Sequence, residues 1–125
     1  MKKIFFIFLL LNFSLANAEW VYVTENLKGT SLVDFKSIKK NSNFRKAWTR
    51  IIFIEPQDGS NGTFLSMKTY DEFDCKNDET RQLSILTFSD KEGSMLAFSS
   101  YDKGSFRPIV PDSTWSKVSE AVCKY

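Results

Sequence analysis

The residues of this chain that could carry out chemistry are concentrated in a basic and an acidic stretch. The basic stretch holds six cations and no acid: Lys36, Lys39, Lys40, Arg45, Lys46 and Arg50. Phe44 and Trp48 lie between them. Cations interleaved with aromatic rings suit the binding of a polyanion, because the charges attract it and the rings stack on its groups. The alternative is that these cations pair with acids across a hairpin.

The acidic stretch runs from residue 71 to residue 79 and holds five acids and one lysine. Glu72 and Asp74 fall on one face of a predicted strand, about 7 Å apart. Two carboxylates at such a separation resemble the pair used in glycoside hydrolysis. That chemistry also needs a cleft and one raised pKa, and the sequence indicates neither.

Histidine does not occur in the sequence. This excludes Ser-His-Asp triads, Cys-His pairs and metal sites with histidine ligands. The acids also lack the spacing of a calcium-binding loop. We therefore predict no catalytic residues, no metal and no cofactor, and a protein that is not an enzyme.

The first residues have the three-part order of an export signal. Lys2 and Lys3 precede an apolar run over residues 4–11, and Ala16-Asn17-Ala18 forms a cleavage site before Glu19. We predict a signal peptide at residues 1–18, with cleavage marked by Ala16, Ala18 and Glu19, and a single domain at residues 19–125. No cysteine lies at the cleavage point, so we expect an exported protein without a lipid anchor, either periplasmic or secreted to the cell surface.

The remainder of the sequence limits the classes of partner. The whole chain has a net charge of +2. Loss of the signal removes two lysines and leaves 15 basic and 15 acidic residues. A neutral domain does not favour nucleic acid as a partner. No segment after the signal is apolar enough to cross a membrane, and the sequence does not indicate an oligomeric state.

The two cysteines, Cys75 and Cys123, predict one disulfide, because an exported chain meets an oxidising compartment. A disulfide that closes the loop between Cys75 and Cys123 stabilises a fold by roughly 4 kcal/mol in the chain-entropy model. The alternative is a reactive thiol pair, which the absence of a C-x-x-C motif and of histidine disfavours.

The apolar pattern predicts an α+β fold: an antiparallel sheet of about six strands with one C-terminal helix packed on it. The strands are expected at residues 20–23, 31–35, 44–55, 64–75, 81–89 and 95–101, separated by short turns. A helix over residues 114–124, capped by Asp112 or Ser113, would present Trp115, Val118 and Val122 on one stripe.

One register between the third and fourth strands keeps each apolar set on its own face. It pairs residues whose numbers sum to 118. Ile51 then lies opposite Met67, and Phe53 opposite Leu65. On the other face, Trp48 lies opposite Tyr70 and Lys46 opposite Glu72.

Short motifs along the domain resemble the surface-adhesin protein E family of small exported bacterial proteins. They are Glu19-Trp20-Val21, Val33-Asp34-Phe35, Ser37-Ile38, Ala47-Trp48, Phe73-Asp74-Cys75 and Pro111-Asp112-Ser113. The resemblance implies an antiparallel sheet with a C-terminal helix, and a disulfide between Cys75 and Cys123. It also implies a non-enzymatic adhesin that binds host matrix proteins, although the lipid anchor of the name-giving member is not expected here.

These expectations leave two functions from different classes. The first is an adhesin-like binding protein of the bacterial envelope or surface, with a host matrix or envelope protein as partner. Exposed strand faces and the loop at residues 56–62 would make the contacts. The second is a periplasmic accessory or structural protein that binds envelope polyanions through the basic stretch.

Overall fold

The structure is a computed structural model that describes residues 17–125. The first sixteen residues of the predicted signal peptide, including Ala16, lie outside the described residues. Ala18 and Glu19 precede the first strand and are exposed.

One antiparallel sheet and one helix account for the described chain. The strands are β1 (Trp20–Glu25), β2 (Gly29–Asp34), β3 (Lys39–Asn41), β4 (Phe44–Gly59), β5 (Gly62–Asp74), β6 (Glu79–Phe88), β7 (Leu96–Ser100) and β8 (Arg107–Pro108). The helix α1 spans Thr114–Lys124, and a short 3-10 helix spans Phe35–Ser37. The predicted class, a sheet with one C-terminal helix, is confirmed.

The sheet has the order β1-β2-β4-β5-β6-β7, with β3 paired to β4 and β8 paired to β6. The six long strands are those that the apolar pattern predicts. The two short strands were not predicted. β3 consists of exposed polar residues and β8 contains a proline, and neither composition is typical of a strand.

The long hairpin of β4 and β5 keeps the predicted register from Phe44 opposite Asp74 to Ile52 opposite Ser66. Beyond Ile52 the register shifts, and Gln57 lies opposite Phe64. The predicted pairing of Phe53 with Leu65 is therefore wrong. An irregularity of this kind inserts extra residues into one strand, here β4, without a matching insertion in its partner. The alternation of apolar residues does not indicate where such an insertion occurs.

The core lies where α1 covers one face of the sheet. Its fully buried residues are Val33, Ala47, Phe73, Val118 and Val122, from β2, β4, β5 and α1. The two helical valines are four residues apart and so lie on one side of the helix. Ser113 caps the helix, because its Oγ accepts a hydrogen bond from the Ser116 backbone nitrogen at 3.2 Å. Asp112, the other predicted cap, has a left-handed φ of 61° instead.

The predicted disulfide is present between Cys75, directly after β5, and Cys123 near the end of α1. It crosses a sequence separation of 48 residues, and its Cα atoms are 5.8 Å apart. Both half-cystines pack against the core cluster. The bond therefore fixes the end of the helix against the sheet.

Candidate functional site

The sheet face opposite α1 carries aromatic and basic side chains. Side chains alternate between the two faces of a strand, so Trp48 and Arg50 share one face of β4 while Ala47 points to the core. The register places Tyr70 opposite Trp48 and Lys68 opposite Arg50. We call this surface the outer face and define it by Trp20, Lys46, Trp48, Arg50, Lys68 and Tyr70.

Aromatic rings separate the cations of the outer face. The guanidinium carbon of Arg50 and the Nζ of Lys68 each lie 5.9 Å from the centre of the Trp20 ring. Lys68 Nζ also lies 5.1 Å from the centre of the Phe88 ring. Two like charges directly opposite each other on a sheet repel, and ring faces offset part of that repulsion.

The surroundings of Lys68 disfavour its charged form. Burial, followed by the charge of Arg50, lowers the pKa of Lys68, whereas the charge of Asp90 acts in the opposite direction. On the same face, the rings of Trp48 and Tyr70 are stacked with their centres 5.0 Å apart. The result is a band of aromatic and cationic groups contributed by β1, β4 and β5.

Neither Arg50 nor Lys68 forms an ion pair within residues 17–125. Arg50 Nη2 donates a hydrogen bond to the Lys91 carbonyl oxygen at 2.8 Å. Arg50 Nε is buried and has no hydrogen-bond partner in this part of the chain. A buried donor without an acceptor is costly. The terminal guanidinium nitrogens of Arg50 and the Nζ of Lys68 form no ion pair in this part of the chain.

The structure divides the predicted basic stretch between the two faces. Lys39 is paired with Lys46, which lies on the outer face with Arg50. Lys40 and Arg45 are paired on the face that α1 covers, where Lys40 Nζ donates to the Tyr125 carbonyl oxygen at 2.8 Å. Lys36 lies apart from both groups, in the 3-10 helix. The six cations therefore do not form one patch.

Lys68 is the residue of the outer face that the charge pattern did not single out. It lies on β5 between apolar and polar residues, outside both charged stretches. Its position opposite Arg50 follows from the predicted register, because the two numbers sum to 118. The predicted pairing of the strands therefore identifies Lys68 as a residue of this face, whereas the local composition does not.

The predicted carboxylate pair has structural partners. Glu72 lies opposite Lys46, as predicted, but its Oε1 instead accepts hydrogen bonds from Arg81 Nη2 at 2.6 Å and Nε at 2.8 Å. Asp74 caps the next turn and accepts from the side chain of Asn77 at 2.9 Å. This bond, together with the backbone donors of Asn77 and Lys76, lowers the pKa of Asp74. Both carboxyls are therefore engaged in structural contacts within the sheet and the following turn.

Within residues 17–125, no cluster of three acidic or thiol side chains could hold a metal ion. In the same range, no helix is both long and apolar enough to span a bilayer.

The chain resembles proteins of known structure. A search of curated sequences gives no match. One structure of Haemophilus influenzae protein E is similar, with a TM-score of 0.65 and 13% identity over 88% of this chain and 87% of the other. A second crystal form of the same protein gives a TM-score of 0.63 and 13% identity over 88% and 91%. At this identity the likeness shows a shared fold.

The family is shown by the sequence itself. The model of the family described as surface-adhesin protein E matches residues 20–124, which is nearly all of the described chain. The match includes β1, the outer face, the core and both cysteines. It also agrees with the antiparallel sheet and single C-terminal helix of the similar structures. The chain therefore belongs to the surface-adhesin protein E family.

Proposed function

We propose that this chain is an exported, non-enzymatic adhesin that binds host matrix proteins through its outer face. The single observation that carries the proposal is the band formed by Trp20, Trp48, Arg50, Lys68 and Tyr70. Tryptophan, tyrosine and arginine are the residue types that contribute most to protein interfaces. Membership of an adhesin family supports the same function.

The arrangement of the band supports a protein partner. The rings of Trp48 and Tyr70 are held against each other and need little further ordering on binding. The Arg50 and Lys68 cations beside them have no acidic partner in the described chain. An acidic patch on a partner would therefore relieve their mutual repulsion and form new charge-assisted hydrogen bonds.

The site of action follows from the same proposal. A signal peptide cleaved after Ala18 would release a mature chain that starts at Glu19 and carries no lipid. The disulfide between Cys75 and Cys123 suits an oxidising compartment. We propose that the mature protein acts at the cell surface or is secreted, and that a periplasmic stage precedes this.

The test is binding of the mature chain, residues 19–125, to a panel of immobilised matrix proteins. Saturable binding to at least one of them is expected. The variant K46Q/K68Q removes two charges from the outer face and should weaken that binding at least tenfold. The control K28Q/K117Q removes two charges elsewhere, and its affinity should equal that of the unaltered chain. Equal losses in the two variants, or no binding to any matrix protein, would refute the proposal.

A second candidate function is binding of an envelope polyanion by the same cations. The observation in its favour is that Arg50 and Lys68 lie directly opposite each other with no carboxylate within ion-pair distance in residues 17–125. Binding to lipopolysaccharide or heparin should then weaken steeply as salt is added, because salt screens exposed charges. An affinity that does not change with salt would remove this candidate.

A further inference from the structure

The structure contains a cavity of about 590 Å³ beside the N-terminal end of α1. It lies between β6 and the segment that connects β7 to the helix. Its walls include Gln82, Asp102, Val110 and Trp115, and Asp71 of β5 also lines it. Cavities of this volume accommodate small ligands or single side chains of a partner. The cavity is on the face opposite to the outer face.

Asp71 is a buried acid within this cavity. Its side chain is only 3% exposed. Its Oδ2 lies 2.6 Å from Thr69 Oγ1 and 2.9 Å from Thr49 Oγ1, and the two hydroxyl oxygens are 2.6 Å apart. Three mutual contacts require three protons, of which the hydroxyls supply two. The carboxylic acid form of Asp71 supplies the third, so this arrangement fits the neutral acid.

Burial disfavours the ionised form of this acid. Desolvation raises the pKa of Asp71 to about 7, although the hydrogen bonds from Thr69 and Thr49 act to lower it. Asp71 has no cation within ion-pair distance in the described chain. Its Oδ1 accepts no hydrogen bond from residues 17–125, which leaves one carboxyl oxygen available on the cavity wall.

The other charged groups of the cavity do not neutralise Asp71. Arg81 of β6 is bound to Glu72. Asp102 and Arg107, from the segment before α1, are exposed, and Arg107 forms no ion pair with Asp71. Ala47 lies directly opposite Asp71 on β4, and Arg45 on the same face donates hydrogen bonds from its Nη1 to the carbonyl oxygens of Ser42 and Phe44. The other wall residues nearest Asp71 are uncharged: Thr80, Gln82, Ser113 and Trp115. The site thus offers two carboxyl groups, of which the deeper has no cation.

We propose that this cavity binds the primary ammonium group of a lysine side chain presented by a protein partner. The ammonium would donate to the free Oδ1 of Asp71, and the alkyl chain would lie along Trp115 and Val110. Only one oxygen of Asp71 is free, which suits a point charge better than the two-pronged guanidinium of arginine. The proposal concerns a second site and is independent of the outer face.

Binding of the cation requires the ionised form of Asp71, so the acid proton passes to solvent when the ammonium enters. The affinity should consequently rise as the pH rises through the pKa of Asp71. At pH 8 most of the sites are already ionised, whereas at pH 5.5 few are. Arg81 and Arg107 keep their charge over this range, because arginine does not lose its proton there.

The experiment uses Nα-acetyl-lysine methylamide as the probe and Nα-acetyl-norleucine methylamide as its uncharged match. Binding to the mature chain is followed through the NMR signal of the Trp115 indole. We expect the lysine probe to bind at least tenfold more tightly at pH 8 than at pH 5.5. The norleucine probe should bind more weakly at both values and show no dependence on pH.

Two variants distinguish binding in the cavity from a general effect of removing a negative charge. D71N should abolish the pH dependence and most of the affinity, and near-ultraviolet circular dichroism checks that it is folded. D78N removes one exposed acid outside the cavity and should bind like the unaltered chain. Equal binding of the two probes, an affinity independent of pH, or unchanged binding by D71N would overturn the proposal. None of these results bears on the K46Q/K68Q comparison.

Discussion

Asp71 is the residue whose ionisation most affects the folded state. Among the carboxyl groups of the described chain, it is the least exposed. Its pKa is raised to about 7 by burial, so the folded protein retains a proton that the unfolded chain releases near pH 4. The folded state therefore binds more protons between these two values. The contribution of Asp71 to stability is therefore fully present below pH 4 and is lost as the pH rises through about 7.

The variant D71N tests this linkage. An asparagine amide can donate in place of the acid proton and does not ionise. The free energy of unfolding of the unaltered chain should fall by a few kcal/mol more than that of D71N between pH 4 and pH 8. Urea unfolding at a series of pH values measures the difference. Parallel curves for the two proteins would mean that Asp71 does not titrate in this range.

Glu19 supplies a second residue-scale prediction. Its backbone nitrogen donates to Asp34 Oδ1 at 2.9 Å, and its carbonyl oxygen accepts from Phe35. Cleavage after Ala18 would turn this nitrogen into a charged amine facing a buried carboxylate. D34N should destabilise a chain that starts at Glu19 by about 1 kcal/mol more than a chain that keeps three residues before Glu19. Thermal unfolding is measured for the unaltered chain and for D34N, each with and without the three preceding residues. If D34N destabilises both lengths equally, the predicted role of the new amino terminus is refuted.

At the scale of elements, Gly29 marks the start of the contact between β2 and β4. A Cβ at this position would overlap the carbonyl oxygen of Ile52. G29A should therefore destabilise the fold by about 2 kcal/mol, because the two strands must separate. Gly104 provides the control, since its added Cβ would meet the nearest atom at 3.4 Å. Urea unfolding that gives equal stabilities for G29A and G104A would contradict the close approach of the strands.

The disulfide determines how firmly α1 is held. A helix of eleven residues is marginal alone, and its fixed end adds to the packing of Val118 and Val122. C75A/C123A should lose roughly 3–4 kcal/mol of unfolding free energy. A titration of free thiols in the unaltered native protein should give none. Detection of two thiols, or equal melting temperatures for the two proteins, would contradict this prediction.

The elements differ in how well the sequence predicts them. The six long strands and the helix follow from runs of β-branched and aromatic residues and from the spacing of Val118 and Val122. The register follows because a one-residue slip would move Ile51 and Met67 to different faces. The sequence does not locate the shift after Ile52, because residues 51–54 are all apolar. β3 and β8 form only because neighbouring strands offer backbone partners, and this is a tertiary effect.

The candidate sites are harder to predict from the sequence than the strands and the helix, because they depend on how the strands pair. The sequence predicted a basic stretch with interleaved aromatic residues, and it grouped these residues by their distance along the chain. Strand pairing then placed Lys68 beside Arg50 and turned Lys40 to the other face. Asp71 was read as one of five acids in a stretch. Its burial becomes visible only when β4 and β5 bring Thr49 and Thr69 against it.

At the scale of the whole molecule, the two faces of the sheet carry different sets of side chains. One face carries α1, the disulfide and the core, and these stabilise the domain. The other face carries Trp48, Tyr70 and cations without acidic partners in the described chain. A small domain that uses one face for its core has the second face available for partners. The proposed adhesin function therefore depends on contact at the outer face.

Oxidative footprinting of aromatic side chains tests this claim most directly. The mature chain is compared free and bound to the matrix protein that it captures. Oxidation of Trp48 and Tyr70 is predicted to fall on binding, while that of Trp115 and Tyr125, on the helix side, stays the same. Protection of Trp115 and Tyr125, with Trp48 and Tyr70 as reactive as in the free chain, would contradict it.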